Sequence, residues 1–169
     1  MPQPPRFPVI DGLEFAAAGE RLRGMWPVGA FPRVRGLLYD DQGSVEYELR
    51  GVRDVLGRPG LALQVAGSLR LACRRCLEPV RIALHEDARL WLARSQAEID
   101  AQPLAADGPD GIVASRDMAV RDLVEDELLL ALPYAPQHEH CPARGDAPPG
   151  TRQSPFAGLR GMLRGRHRH

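Results

Sequence analysis

The chain has 169 residues, of which 44% are hydrophobic and 26% are charged, and its 22 arginines and lysines balance its 22 acidic residues. This size favours a single domain with a sizeable core, and the composition argues against wholesale disorder. No apolar run approaches the roughly 20 residues of a membrane helix, and the N-terminal residues lack a secretory signal pattern. The three cysteines, an odd count, argue against a disulfide framework. We therefore expect a cytoplasmic protein whose cysteines are thiols or metal ligands.

The neutral total charge hides segments of opposite charge. Residues 21–94 carry 13 arginines against 8 acidic residues, residues 98–127 carry 2 against 9, and residues 151–169 carry 5 arginines and no acid. Because ordinary salt screens charges beyond about 10 Å, a local basic stripe can attract phosphates on a neutral protein. The complete absence of lysine equally fits a compositional bias toward arginine that has no functional cause.

The first fifty residues predict a helix followed by a hairpin. Apolar residues at roughly helical spacing predict a helix over residues 9–26, with Asp11 as its N-cap. Apolar and charged residues alternate from Ser44 to Arg50, which is typical of a half-buried strand. The turn residues before this strand favour a hairpin with residues 34–39.

The clearest pattern predicts two antiparallel strands between residues 61 and 92. Apolar residues alternate with polar ones from Leu61 to Cys73 and again from Val80 to Leu92. The connection between them ends at Pro79, a residue that cannot sit inside a central ladder. The pattern places Trp91 on the polar side, where its ring could stack on a base.

The second half predicts a loop and a helix. Residues 95–111 are polar, acidic and rich in Pro, Gly and Ala, which favours a mobile loop. Residues 117–132 predict a helix that is capped by Ser115 or Asp117 and stopped by Pro133. Its apolar stripe is expected to face the core and consists of Val120, Leu123, Val124, Leu128 and Ala131.

The same helix is expected to present an acidic outer face formed by Asp122, Glu125 and Asp126. Charge reversal at Glu125 should then leave stability unchanged. The overall organisation that we predict is a single domain over residues 1–141, a Pro/Gly-rich linker over 142–155 and a basic tail over 156–169.

Two cysteine clusters suggest a metal site. Cys73-x-x-Cys76 is a metal half-site, because two thiolates on a tight turn can both reach one tetrahedral ion about 2.3 Å away. The run from His138 to Cys141 could complete it with a third sulfur and a nitrogen from His138 or His140. The neighbouring position of His140 makes His138 the easier partner of Cys141. The cofactor expected here is zinc, and three unconnected thiols are the alternative.

Enzyme motifs are absent from the sequence. It contains no phosphate-binding G-x-x-x-x-G-K-[ST], no G-x-S-x-G and no H-E-x-x-H. A redox C-x-x-C needs a helix N-terminus to stabilise its thiolate, whereas this one lies between predicted strands. We therefore do not expect an enzyme.

Two arginine-rich regions are candidates for RNA binding, because arginine pairs with phosphates and stacks on bases. A merely solvated sheet face explains the first region as well. The second region is a basic arm that follows the apolar residues Phe156 and Leu159. The candidate RNA-binding residues are Arg70, Arg74, Arg75, Arg81 and Arg89 on the predicted hairpin, and Arg160, Arg164, Arg166 and Arg168 in the tail.

Taken together, these motifs resemble the YceD family of large ribosomal RNA subunit accumulation proteins. The matching pieces follow the family's order and are residues 71–79, 121–133, 138–141 and 154–159. The run Val-Glu-Asp-Glu-Leu-Leu-Leu-Ala-Leu-Pro, which begins at Val124, is the most specific of them. The chain differs at Ser154, where the family typically has Asn before Pro-Phe.

The resemblance implies a non-enzymatic factor for the synthesis, processing or stability of large-subunit ribosomal RNA. It also implies an α+β fold with an antiparallel, partly closed sheet and flanking helices, in agreement with the order of predicted elements. The expected partner is large-subunit ribosomal RNA or a precursor particle, and no membrane is expected.

Two modes of action stay open. In the first, the arginine-rich regions bind RNA directly. In the second, the acidic helix together with Phe156 and Leu159 docks a ribosomal protein or an RNA-processing enzyme, without RNA contact.

Overall fold

An open five-stranded sheet with helices on one face forms the body of the protein in a computed structural model, which describes residues 7–102 and 108–141. A single 3₁₀ turn, Val28–Ala30, joins β2 to α2. The elements in chain order are β1 (Val9–Ile10), α1 (Gly12–Ala18), β2 (Arg21–Pro27), α2 (Pro32–Arg35), β3 (Ser44–Arg53), β4 (Pro59–Ala72), β5 (Pro79–Ala93), α3 (Gln96–Asp100), β6 (Asp110–Val113), β7 (Met118–Ala119) and α4 (Val120–Ala131).

The strands of the main sheet follow one another in sequence order, from β2 at one edge to β6 at the other. All neighbouring pairs are antiparallel except β5 and β6, which are parallel. The short strands β1 and β7 pair separately. The predicted α+β class with a mainly antiparallel sheet is confirmed, and the sheet stays open because its edge strands do not meet.

The long hairpin of β4 and β5 confirms the strongest sequence pattern. Along β4, the side chains of Leu61, Leu63, Val65, Leu69 and Leu71 are all buried, whereas the residues between them are more exposed. The first four of these side chains face α1 and α4 and belong to the core between the sheet and the helices, whereas Leu71 lies in a smaller cluster at the end of the hairpin. The other face of the sheet, called here the outer face, carries the alternating polar residues.

The predicted helix over residues 9–26 is wrong in its second half. The helix ends at Ala18 because Gly19 adopts a left-handed conformation (φ 63°) that closes the last turn. Beyond it, residues 21–27 form β2, in which Leu22 and Trp26 face inward and arginines alternate with them. The predicted N-cap is confirmed, since the Asp11 carboxylate accepts hydrogen bonds from the N–H groups of Leu13 and Glu14.

The predicted hairpin between residues 34–39 and 44–50 is also wrong. The strand itself is present as part of β3, but its neighbours are β2 and β4. Pro32 starts a short helix instead, because Phe31 and Val34 are both drawn into the core at a spacing that suits a helical turn. Of the segment after it, only Leu38 makes a β-bridge, to Leu71.

Two boundaries in the second half also differ from expectation. The predicted loop 95–111 contains the short helix α3, capped by the Ser95 side chain, and the first residues of β6. The last helix begins at Val120 rather than at residue 117, because Met118 and Ala119 pair with β1. Its N-cap is Ala119, and neither Ser115 nor Asp117 caps it.

The stripe of α4 is confirmed, because Val120, Val124 and Leu128 are fully buried and Leu123 and Ala131 pack against the same core. The expectation that Glu125 faces outward is wrong, since this residue is only 2% exposed.

The predicted linker 142–155 and tail 156–169 lie outside the described residues. Within residues 7–102 and 108–141, no helix is long and apolar enough to cross a membrane.

Candidate metal centre and basic sheet face

Four potential metal ligands meet where the β4–β5 hairpin contacts the segment that follows α4. The tight turn between the strands carries Cys73 and Cys76, and the segment after Pro133 returns to this turn with His138 and Cys141. The N–H group of Arg74 donates to the Pro136 carbonyl over 2.8 Å and fixes the two segments to each other. One ligand atom from each of the four residues lies within 4.8 Å of the others.

Two of the distances between these atoms equal the edges of a tetrahedral zinc site, and the others lie within 4.8 Å. The sulfurs of Cys73 and Cys141 are 3.8 Å apart, and the Cys76 sulfur lies 3.5 Å from His138 Nδ1. Bonds of about 2.3 Å to sulfur and about 2.0 Å to nitrogen give tetrahedral edges of roughly 3.8 Å and 3.5 Å. The donor set of three sulfurs and one imidazole is also one that structural zinc sites use.

The surroundings of the site orient its ligands. His138 Nε2 lies 3.1 Å from the Pro79 carbonyl oxygen. A proton on Nε2 that donates to this oxygen leaves Nδ1 unprotonated and directed at the sulfurs, as metal-binding histidines require. The same hydrogen bond to Pro79 is the main reason why the pKa of His138 is raised.

The sulfur of Cys73 lies among backbone N–H donors. The N–H groups of Cys76, Arg75 and His138 lower the pKa of Cys73 to about 5, and Cys76 is the largest contributor. Burial and the neighbouring sulfurs of Cys76 and Cys73 raise the pKa of Cys141 to about 11. The turn therefore favours a thiolate at Cys73 and, without a cation, a neutral thiol at Cys141.

The turn adopts an unusual backbone conformation to place these donors. Leu77 has φ 67°, a left-handed conformation that costs an L-residue roughly 1–2 kcal/mol. Its N–H group donates to the Cys73 carbonyl over 2.9 Å and closes the turn. Leu71, Cys73 and Val80 form a small apolar cluster behind the site, separate from the main core.

Of the two candidate histidines, the structure places only His138 with the cysteines, and His140 is exposed. Arg74 and Arg75, between the two ligand cysteines, are exposed. Within the described part of the chain, neither arginine forms an ion pair with a carboxylate. Glu78 and Glu139, close by in sequence, are exposed as well.

The outer face of the sheet carries arginines in two separate rows. The first arginine row consists of Arg21, Arg50 and Arg89, which share one cross-strand line with Ala62 between the last two. The second arginine row is Arg70 and Arg81, directly opposite each other on β4 and β5. Opposed like charges destabilise a sheet, and neighbouring carboxylates offset this repulsion by pairing with Arg21, Arg50 and Arg70.

Three carboxylates and a single arginine, Arg23, lie on the outer face between these rows, together with uncharged side chains and His85. Arg23, Glu48, Gln64 and Asp87 share one cross-strand line, and Met25, Glu46, Ala66 and His85 share the next. Glu48 pairs with both Arg21 and Arg50, and the Arg21 hydrogen bond is the main reason why its pKa is lowered. Arg70 pairs with Asp40 over 2.7 Å.

The expectation that Trp91 is available for base stacking is wrong. Its side chain is only 4% exposed, because the Arg58 guanidinium lies 4.4 Å from the ring centroid. The neighbouring strand β6 approaches from the side, and a Cβ at Gly111 would lie 2.6 Å from the indole nitrogen. An alternating sequence pattern predicts which face of a strand a residue lies on, but it does not predict which other residues cover that face.

The acidic face of α4 is already neutralised within the protein. Glu125 accepts hydrogen bonds from the N–H groups of Arg33 and Val34, and its other oxygen pairs with the Arg33 side chain over 2.9 Å. The same guanidinium pairs with Asp126 over 2.6 Å, and Arg121 pairs with Asp122 over 3.2 Å. The other candidate residues for partner or RNA binding, Phe156, Leu159, Arg160, Arg164, Arg166 and Arg168, lie outside the described residues.

Sequence reasoning missed Arg33 and the arginines of the first row on β2 and β3. The signal for β2 is present, since Arg21, Arg23 and Met25 alternate with Leu22, Gly24 and Trp26. Arg33 has no such signal, because its partner Glu125 lies 92 positions away.

Fold and site together define a small α+β protein in which a Cys₃His cluster ties a β-hairpin to the end of a helix. Residues 61–161, more than half of the chain, match the model of a family described as large ribosomal RNA subunit accumulation protein YceD. The chain belongs to the YceD family. The matched region contains all four potential ligands, and the family description connects the chain with the accumulation of large-subunit ribosomal RNA. No curated protein and no solved structure gives a significant match.

Proposed function

We propose that the protein supports the accumulation of large-subunit ribosomal RNA by binding the precursor RNA directly, and that zinc holds the loop that makes this contact. The observation that carries the proposal is the position of Arg74 and Arg75. Both side chains are exposed within the ligand turn, and neither is paired with a carboxylate of the described residues. Arginine pairs with phosphate through a planar fork, which suits it to an RNA backbone.

Zinc would act on structure rather than on a reaction. Cys73, Cys76, His138 and Cys141 would hold it, and their distances already approach the edges of a zinc tetrahedron. Structural zinc contributes directly to folding free energy. Its binding would fix the loop that carries both arginines against the segment after α4.

The alternative, in which the acidic helix docks a protein partner, has less support. The charges that it needs at Asp122 and Asp126 are paired internally, and Glu125 is buried. A partner would have to displace Arg33 or Arg121 to reach them.

RNA binding by the purified protein tests the proposal. We expect the double variant R74Q/R75Q to weaken binding to large-subunit ribosomal RNA and to reduce the slope of log affinity against log salt by roughly 2, since each phosphate contact contributes about 1. The matched control is R94Q/R116Q, which removes two exposed arginines elsewhere. Equal binding by both double variants would contradict RNA contact through Arg74 and Arg75. No binding by the parent would contradict direct RNA contact altogether and favour the docking alternative.

Metal content tests the role of zinc independently. We expect about one zinc per chain by elemental analysis of protein purified without added metal, and a loss of zinc in Cys76→Ser and His138→Ala. His140→Ala is the matched control and should keep the metal, because His140 lies outside the cluster. A metal-free parent protein, or equal zinc in His138→Ala and His140→Ala, would disprove the Cys₃His site.

A further inference from the structure

The distribution of charges across the outer face bears on whether this face would bind single-stranded or double-stranded RNA. The first arginine row crosses β4 at Ala62 and the second includes Arg70. Eight residues separate these positions, which corresponds to about 26 Å of extended strand. The lines between them carry three carboxylates, Glu46, Glu48 and Asp87, against the single arginine Arg23, so the net charge of the face changes from positive to negative and back to positive.

Between the two rows, the central strand β4 also carries no bulky side chain on the outer face. Gln64, Ala66 and Ser68 form the floor of this region on β4, and no Phe, Tyr or Trp stands on the lines between the rows. Shallow depressions of about 510 Å³ and 320 Å³ follow this floor next to each other. A ligand that rests on the two arginine rows would therefore leave space above the centre of the sheet.

We propose that the outer face binds double-stranded RNA, with the two arginine rows contacting phosphates on separate ridges of the duplex. This inference rests on the proposed RNA binding and specifies its ligand. A duplex carries its phosphates on two ridges, and proteins recognise its shape by contacts to ridges that a groove separates. The groove would lie above Glu46 and Asp87, and a phosphate on the first arginine row would replace Glu48 as the partner of Arg21 and Arg50.

A single strand fits this face less well. Its phosphates follow one another at every nucleotide, so a strand that connects the two rows would pass over the central carboxylates. Sites for single strands usually combine a continuous basic groove with exposed aromatic rings. Here the charge is interrupted and Trp91 is covered by Arg58. Tyr39, which is exposed beside Arg70, offers a ring at one end of the face only.

The test compares binding of an RNA duplex of roughly 16 base pairs with binding of its separate strands. Double-stranded RNA-binding domains cover a duplex of this length. We expect the full-length protein to bind the duplex at least tenfold more tightly. R50Q/R89Q and R70Q/R81Q should each weaken duplex binding about tenfold and reduce the salt slope by about 2. The control E46Q/D87N should favour the single strands more than the duplex, because it removes two central carboxylates, neither of which pairs with an arginine of the rows.

Thermal unfolding of each variant verifies that the sheet stays folded. Equal or tighter binding of a single strand would overturn the inference. Duplex binding that does not change in R50Q/R89Q would also overturn it. If R74Q/R75Q still weakens RNA binding in that case, the proposed function stands and only the site on the outer face is lost. If the parent binds neither form, the proposed function fails as well.

Discussion

At the scale of single residues, Glu125 differs most from its expected role. Its sequence neighbours Asp122 and Asp126 are exposed, and the helical pattern predicts the same for Glu125. In the structure its carboxylate caps α2 by accepting the N–H groups of Arg33 and Val34 over 2.6 and 3.2 Å. The sequence run that is most specific for the family therefore contains a residue that joins α4 to α2.

We expect Glu125→Ala to lower the free energy of unfolding by about 2 kcal/mol, because it leaves two N–H groups of a helix start without an acceptor. Urea unfolding measures this change. The matched control Asp126→Asn removes a charge from the same helix at a side chain that is 56% exposed, and should cost under 1 kcal/mol. Equal effects of the two substitutions would contradict the capping role.

Glu127 provides a prediction about pH. Its pKa is raised by burial and by the nearby carboxylates of Asp110, Asp126 and Glu86. A raised carboxyl pKa means that the ionised form disfavours the folded state, and this penalty is present at neutral pH and disappears as the pH falls below the unfolded pKa near 4.3.

Glu127→Gln should therefore raise the free energy of unfolding at pH 7 by about 0.5 kcal/mol, the range of substitutions outside the core. At pH 4 the gain should be much smaller, because the carboxyl group is then largely protonated in both states. Denaturant unfolding at the two pH values measures the difference between variant and parent. Glu20→Gln, in an exposed loop, controls for the loss of one charge, and a gain that is equally large at pH 4 would refute the interpretation.

At the scale of elements, α1 and β3 approach each other closely at Gly51. A Cβ at this position would overlap the carbonyl oxygen of Phe15 and lie 2.8 Å from the Ala16 Cα. The Gly51 N–H group also donates to the Glu20 carbonyl over 2.8 Å. The missing side chain thus allows the helix to lie directly on the strand.

Gly51→Ala should destabilise the protein by about 2 kcal/mol, because backbone atoms of α1 must move away. Gly36→Ala is the matched control, since its nearest atom is 3.9 Å away and its φ of −65° suits any residue. It should be neutral or stabilise by up to about 1 kcal/mol. Thermal or urea unfolding of both variants tests the pair, and a harmless Gly51→Ala would show that α1 packs differently.

At the scale of the whole molecule, charge is divided between parts of the chain. The described ranges hold 15 arginines and 20 acidic residues, whereas residues 151–169 hold 5 arginines and no acid. The C-terminal residues therefore make the protein neutral overall. Their sequence predicts a role in binding rather than in the core.

Deletion of residues 154–169 should leave the melting temperature within about 2 °C of the parent and weaken binding to large-subunit ribosomal RNA. The physical reason is that the deletion removes four of the arginines that can neutralise phosphates. Calorimetry and RNA titration measure the two effects. Unchanged RNA binding would remove the tail from the mechanism, and a large fall in melting temperature would show that the tail stabilises the fold.

By itself, the sequence determined the features that depend on local periodicity and spacing. The alternation over residues 61–92 predicts β4 and β5, the apolar stripe at residues 120–131 predicts α4, and the Cys73-x-x-Cys76 spacing predicts half of a metal site. Each of these patterns lies within one element or one turn, so neighbouring residues are sufficient to reveal it.

Only the tertiary structure decided which residues lie together across the chain. It places His138 rather than His140 beside the cysteines, and it buries Glu125 against Arg33. It also brings together the first arginine row from three strands and the second from two. Short elements such as β2 and α2 were predicted wrongly because their packing partners lie far away in sequence. Local patterns cannot contain this information, since it depends on which strands pair and on what covers each face.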